Sequence, residues 1–274
     1  MGKLSDAFER RNKENLLKVA QGFKRDAPRF IPERPEPVLL KGVSSQVGAN
    51  EKLVVISDPE SADAESFRML RSEIFAGKDK AKPRTIMVTS VFPGEGKTFV
   101  ASNLAVSIAI GAEEQVLLVD SDLRRGTIHQ VFGYRRSEGF GEYLDRKGPM
   151  ESLIVKTEIQ RLSILPAGQG TASGSEKIAS SGMEVFMSEV RRRFHDWVVI
   201  IDTAPSHVMA GTRVIGRYVD GILFVVMARK APRKEIQRSV ASLGREKVLG
   251  VVFNGYTHAN REYRKYYEKY YSRK

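Results

Sequence analysis

The stretch Thr85-Ile-Met-Val-Thr-Ser-Val-Phe-Pro-Gly-Glu-Gly-Lys-Thr98 limits what this chain can fold into more than any other. An apolar β-type run, Thr85 to Thr89, ends in a glycine-containing turn and leads into a helix. Gly94 and Gly96 let backbone N–H groups turn inward with no Cβ in the way, and a helix opening near Lys97 adds its positive end. Such a nest suits phosphate. Lys97 places a point charge for the β- and γ-phosphates, and the Thr98 hydroxyl is a ligand for Mg²⁺. The match to G-x-x-x-x-G-K-[ST] is incomplete, because Val91 stands at the leading glycine position.

From Thr85 onward apolar strands alternate with helices, the pattern of a doubly wound, mostly parallel α/β sheet. Strands are expected at 85–89, 116–120, 162–165, 198–202, 222–227 and 248–253, with helices near 97–110, 176–194, 207–216 and 233–244. Short helices are expected around His129 and Tyr143. Two of the strands end in acid. Val116-Leu-Leu-Val-Asp-Ser-Asp122 delivers Asp120 and Asp122, and Trp197-Val-Val-Ile-Ile-Asp202 delivers Asp202, all at the edge where open α/β sheets bind ligands. Oxygen donors suit Mg²⁺, so Thr98, Asp122 and Asp202 are its candidate ligands. Asp120 is left free to take a proton from an attacking hydroxyl. A nucleotide bound with Mg²⁺ is the ligand this set implies.

The 274 residues suffice for one such core with about fifty to sixty residues left for arms. Residues 1–24 carry Leu4, Phe8, Leu16 and Val19 at helical spacing, either a helix docking on a partner or membrane surface or a solvated arm. Pro28, Pro32, Pro35 and Pro37 then make an extended linker, which places the core from about residue 51 to 255. Leu53–Ile56 reads as a short strand or extended lead-in, followed by a helix over 62–76 that sets Glu65, Arg68 and Arg71 at i, i+3 and i+6. These three are a surface ion-pair group or a docking face for another subunit. Without a signal core or an apolar run of 18 residues the expected location is the cytoplasm, and the absence of cysteine excludes disulfides and thiol nucleophiles. The formal charge of +12 favours anionic partners, but it is dispersed and no nucleic-acid-binding motif goes with it.

Six of the nine tyrosines follow residue 255: Tyr256, Tyr263, Tyr266, Tyr267, Tyr270 and Tyr271. The last five follow an amphipathic helical stripe, which could pack on the core; the basic residues around them favour a detachable tail over 256–274.

Four features in order, Ser90-x-x-Pro-Gly-Glu-Gly-Lys-Thr98, Asp120-Ser-Asp122-Leu-Arg-Arg, Ile-Ile-Asp202-Thr-Ala-Pro and the tyrosine cluster, resemble the bacterial tyrosine kinases, the BY-kinases. A fifth, Glu65-x-x-Arg68-x-x-Arg71, is similar to the oligomerisation motif of that family. The resemblance implies a P-loop fold related to ParA and MinD, with nucleotide contacts from Pro93, Gly94, Glu95, Gly96, Lys97, Thr98 and Phe99 and an adenine contact from Asn254. It implies catalysis by Lys97, Asp120 and Asp122, and ATP-dependent phosphorylation of the tail tyrosines between neighbours in a ring. A separate membrane adaptor, a phosphotyrosine phosphatase and control of exopolysaccharide or capsule export come with it, at the inner face of the membrane. The first 50 residues resemble the exosortase-associated autokinases. Gly126-Thr127 and Ala204 depart from the family pattern. The rival is a ParA/MinD-like positioning ATPase, but Phe92 stands where that class carries an extra lysine. A third reading is a nucleotide-gated scaffold without catalysis. Each phosphate adds about −1.5 to −2 charges, so two or three would overturn the tail's formal charge, six Lys/Arg against two Asp/Glu over 254–274, and expel it from a neighbour's site.

Overall fold

The computed structural model describes residues 38–39, 50–75, 82–170, 173–179, 181–207 and 210–255. The N-terminal arm, its prolines and the tail tyrosines lie outside the described residues. In chain order the strands are β1 (Val38–Leu39), β2 (Thr85–Ser90), β3 (Val116–Asp120), β4 (Val155–Lys156), β5 (Leu162–Leu165), β6 (Val198–Asp202), β7 (Gly221–Met227) and β8 (Val248–Asn254). The described helices are α1 (Val54–Ser57), α2 (Ala62–Phe75), α3 (Lys97–Gly111), α4 (Ile128–Val131), α5 (Phe140–Leu144), α6 (Met150–Leu153), α7 (Gly174–Ala179), α8 (Ser181–Arg193), α9 (Ala210–Tyr218) and α10 (Arg233–Leu243).

The strands form one sheet in the order β1-β4-β5-β3-β6-β2-β7-β8, parallel throughout except where β4 meets β5. Strands β2, β3 and β6 are buried at every residue, which is why they read as unbroken apolar runs rather than alternating ones. Ile86, Val88, Leu118 and Ile200 face one layer, with Val100, Leu104 and Ile108 of α3. Met87, Leu117, Val199 and Ile201 face the other, with Met183, Phe186 and Val190 of α8 and Ile215 of α9. Helix α3 is buried nearly throughout, because α2 covers the side turned away from the sheet; Phe67 of α2 meets Phe99 of α3 edge-on at 5.6 Å. Truncating Leu104 there to alanine removes packing worth about 2–5 kcal/mol.

Several expectations need correction. Leu53–Ile56 is not a strand: Val54–Ser57 is helical, and Asn103 of α3 holds it by donating to the Lys52 carbonyl (2.8 Å) and accepting the Val55 N–H (3.3 Å). The β-branched sequence suggested a strand, but no sheet edge is offered to it and a buried amide is. The helix expected at 176–194 is two helices with separate anchorages, Ile178 of α7 packing at Gly211 and Met183, Phe186, Met187 and Val190 of α8 packing under the sheet. The helix expected at 207–216 is seen from Ala210; Ser206 and His207 form a turn, with Ser206 donating its N–H and its hydroxyl to the Ser90 carbonyl (2.8 and 3.0 Å). Finally, the sheet reaches back to Val38–Leu39, within the stretch read as linker.

Candidate functional site

The site lies at the C-terminal ends of β2, β3 and β6. After Ser90 the chain passes through buried Val91 and exposed Pro93 and Gly94, then enters α3 at Lys97. Gly94 and Gly96 take φ of +72° and +89°, in the left-handed region that side chains resist, so both glycines are required by the turn. Gly96 is the N-cap of α3 and offers no side chain, so the first N–H groups of this long helix remain for a ligand.

Facing the loop is a pair of carboxylates. Asp120 and Asp202 are register partners on β3 and β6, and each is only 1% exposed. Thr98 donates its hydroxyl to Asp202 Oδ2 at 2.6 Å, while Asp202 Oδ1 is buried with no hydrogen-bond partner among the described residues. Burial pushes the Asp202 carboxyl up to about 7, against the pull of the Lys97 charge and the Thr98 hydrogen bond. Asp120 accepts the N–H groups of Ile128 (3.1 Å) and Asp122 (3.2 Å), yet burial, followed by the charge of Asp202, raises it well above the usual carboxylate range. A buried oxygen that lacks a donor, next to a threonine hydroxyl, fits a hard divalent cation.

Thr98 and Asp202, two of the three candidate Mg²⁺ ligands, are thus in direct contact with each other. Asp122 is placed differently: it is half-buried, its Oδ1 accepts the Arg125 N–H at 3.0 Å, and its charge alone reaches Asp202. No group of three or more His, Cys, Asp or Glu side chains among the described residues forms a metal cage. Mg²⁺ needs none, since it takes one or two carboxylates and completes its shell with phosphate oxygens and water. Glu95 is fully buried behind the loop, and the Phe99 ring packs on Phe67. Asn254 sits directly against the loop at Gly96. Glu65 and Arg68 pair with each other at 2.5 Å, while Arg71 folds onto α3 and donates to the Ser107 carbonyl at 2.6 Å.

Other contributors carry no sequence signal. Ser121 donates to the Asp202 carbonyl (2.7 Å), Thr203 to that of Val88 (3.0 Å) and Thr212 to that of Ala204 (2.9 Å), so hydroxyls fasten the loops of neighbouring strands. The Phe92 ring meets that of His207 at 5.5 Å, tilted by 59°, and Thr127 Oγ1 lies 3.5 Å from Thr98 Oγ1. The buried Tyr134 phenol has no hydrogen-bond partner among the described residues and is pushed up by burial and by the charge of Asp120.

A glycine-turned loop after a buried parallel strand, a free helix N-terminus and an acid pair at the adjoining strand ends define a P-loop nucleotide-binding domain. The model of the CobQ/CobB/MinD/ParA nucleotide binding domain matches residues 86–274. The tyrosine-protein kinase YwqD of Bacillus subtilis is 30% identical over 206 residues, 74% of this chain and 85% of that protein. The putative tyrosine-protein kinase CapB of Staphylococcus aureus is 29% identical, over 74% of this chain and 88% of that protein. The chain spans only 28% of the tyrosine-protein kinase wzc of Salmonella typhimurium and 27% of ptk of Acinetobacter johnsonii. Among solved structures, the chimerical protein CapA2B2 superimposes with a TM-score of 0.68 at 30% identity, covering 74% of this chain and 89% of that one. The kinase domain of the Escherichia coli tyrosine kinase ETK gives 0.68 at 26% identity and 85% of each chain. The cell division ATPase MinD of Pyrococcus furiosus, with 0.54 at 22% identity over 65% of this chain and 74% of that one, shares the fold alone. The chain belongs to the CobQ/CobB/MinD/ParA nucleotide-binding family and, within it, to the bacterial tyrosine-protein kinases.

Proposed function

We propose that this chain is an ATP-dependent protein-tyrosine autokinase, phosphorylating Tyr256, Tyr263, Tyr266, Tyr267, Tyr270 and Tyr271 of a neighbouring copy. The observation that carries the nucleotide part is the Thr98–Asp202 contact with Asp202 Oδ1 lacking a partner among the described residues, set beside the charge of Lys97. Sequence similarity to proteins named tyrosine kinases over most of their length supports the choice of acceptor.

In this reading a phenolic oxygen attacks the γ-phosphorus of ATP, the bond to the β-phosphate oxygen breaks, and ADP leaves. Lys97 and the first N–H groups of α3 stabilise the charge on the transferred group and on the leaving oxygen. Thr98 and Asp202 would hold Mg²⁺, with Asp122 near enough to act on it by charge. The ion, when bound, neutralises the β- and γ-phosphate oxygens. Asp120 takes the phenolic proton; burial and the neighbouring Asp202 make it a stronger base than an ordinary aspartate.

Assembly into a ring through the helix of Glu65, Arg68 and Arg71, activation by a separate membrane adaptor, reversal by a phosphotyrosine phosphatase and control of exopolysaccharide export complete the proposal. Its place is the cytoplasmic face of the membrane. Among the described residues no helix is long and apolar enough to cross a bilayer.

The test is to incubate the purified chain with ATP and Mg²⁺ and map phosphate by mass spectrometry. Phosphotyrosine after residue 255, absent in Lys97→Met, is the expected result. ATP turnover with no phosphotyrosine would instead favour a positioning ATPase.

A further inference from the structure

Val91 stands at the leading glycine position without a positive φ, and side chains behind the phosphate loop hold its curvature. Glu95 accepts the Phe92 N–H at Oε2 (2.6 Å), closing the loop on itself, and the Met227 N–H at Oε1 (3.3 Å), fastening the loop to the end of β7. Asn254, the last residue of β8, donates from Nδ2 to the Glu95 carbonyl at 2.9 Å. Its Oδ1 accepts the Gly255 N–H at 3.0 Å, and its backbone carbonyl accepts the Ala228 N–H at 2.9 Å. Lys230, in the turn after β7, donates to the Gly94 carbonyl at 3.1 Å.

Peptide groups are planar and trans, so a carbonyl held on one side sends the N–H of the next residue to the other. Lys230 holds the peptide between Gly94 and Glu95, and Asn254 holds the one between Glu95 and Gly96. The Glu95 and Gly96 N–H groups therefore point away from Lys230 Nζ and Asn254 Nδ2. The fit is tight as well, because a Cβ on Gly96 would stand 1.8 Å from Asn254 Nδ2.

We infer that Asn254 is a positioning residue for the phosphate loop, acting with Glu95 and Lys230 to aim backbone N–H groups at the polyphosphate. The inference rests on the nucleotide-site reading and does not require the acceptor to be tyrosine. It separates Asn254 from a residue that only reads the base.

The probes are a fluorescent ADP and inorganic tripolyphosphate, which has no base, each titrated with Mg²⁺ against the full chain. Asn254→Ala should weaken both by the same factor, roughly three- to tenfold for one lost backbone-directed hydrogen bond. Glu95→Gln, of the same shape, should move both in the same direction. Binding stoichiometry reports the folded fraction separately from affinity, so partial misfolding does not mimic the effect. Lys230→Gln, which keeps an N–H donor without the charge, should bind tripolyphosphate better than Lys230→Met. Loss of ADP affinity in Asn254→Ala with tripolyphosphate unchanged makes the residue a base contact and overturns the inference, as does unchanged affinity for both. A wild-type chain that binds neither probe removes the nucleotide site itself, a failure distinct from a wild type that binds while Asn254→Ala is normal.

Discussion

Asp202 and Arg68 are both charged residues that the sequence marks, and the fold treats them in opposite ways. Asp202 is 1% exposed at the end of a central strand, with one oxygen on Thr98 and the other without a partner among the described residues. The Arg68 side chain is 36% exposed and pairs with Glu65 on its own helix, with a further bond to the Pro59 carbonyl. A desolvated carboxylate with an incomplete set of partners costs stability, so its persistence points to a ligand that completes the set. A half-exposed i,i+3 pair is complete already and is worth ~0.2–1 kcal/mol. Burial therefore distinguishes a motif that acts within the subunit from one whose role, if any, depends on another molecule.

The comparison can be broken most forcefully at the buried end. Lys97→Met should lower tyrosine phosphorylation by roughly 10²–10³-fold, the scale of one lost electrostatic contact in a transition state, read by single-turnover transfer from labelled ATP. Retained transfer would mean that the buried charges are structural.

Next comes pH. The folded Asp202 carboxyl is raised to about 7, against an ordinary value of 3.8, so the folded state holds its proton more tightly than the unfolded state does. The stabilising contribution is fully present below 3.8 and is lost as pH rises through about 7. Asp120, raised by burial and by the same neighbour, pushes the same way. The ligand-free protein should thus melt at a falling temperature from pH 5 to pH 8, with a shallower slope in Asp202→Asn. Nucleotide binding with Mg²⁺, which favours the ionised carboxylate, should tighten over the same interval. A flat melting profile would show that the carboxylates are better satisfied than their burial implies.

A smaller effect is expected at the loop. Gly96→Ala places a side chain at φ +89° and against Asn254, a strain of about 1–3 kcal/mol visible in the melting temperature. The smallest lies at the half-exposed pair: Arg68→Ala should change monomer stability by no more than ~1 kcal/mol. A change in assembly mass by light scattering with unchanged melting would sharpen the contrast, by showing that this charge serves a neighbour.

The parts of the site that lie on one continuous segment were legible in advance. An apolar run closed by an acid gave β3 with Asp120 and β6 with Asp202, and the glycine turn before Lys97 gave the start of α3. What escaped was fixed at long range. Lys230 reaches the loop across 136 positions, and Asn254, named beforehand only through the family resemblance and as an adenine contact, across 159; neither contact leaves a local pattern. The same holds for Val54–Ser57, whose composition favours extension but whose backbone is held by Asn103. The break between α7 and α8 was hidden because each half keeps its own apolar face.

The strand order sets Val38–Leu39 and Val248–Asn254 at opposite margins of the sheet. With strands about 4.8 Å apart, β1 and β8 lie on the order of 30 Å from each other across the sheet.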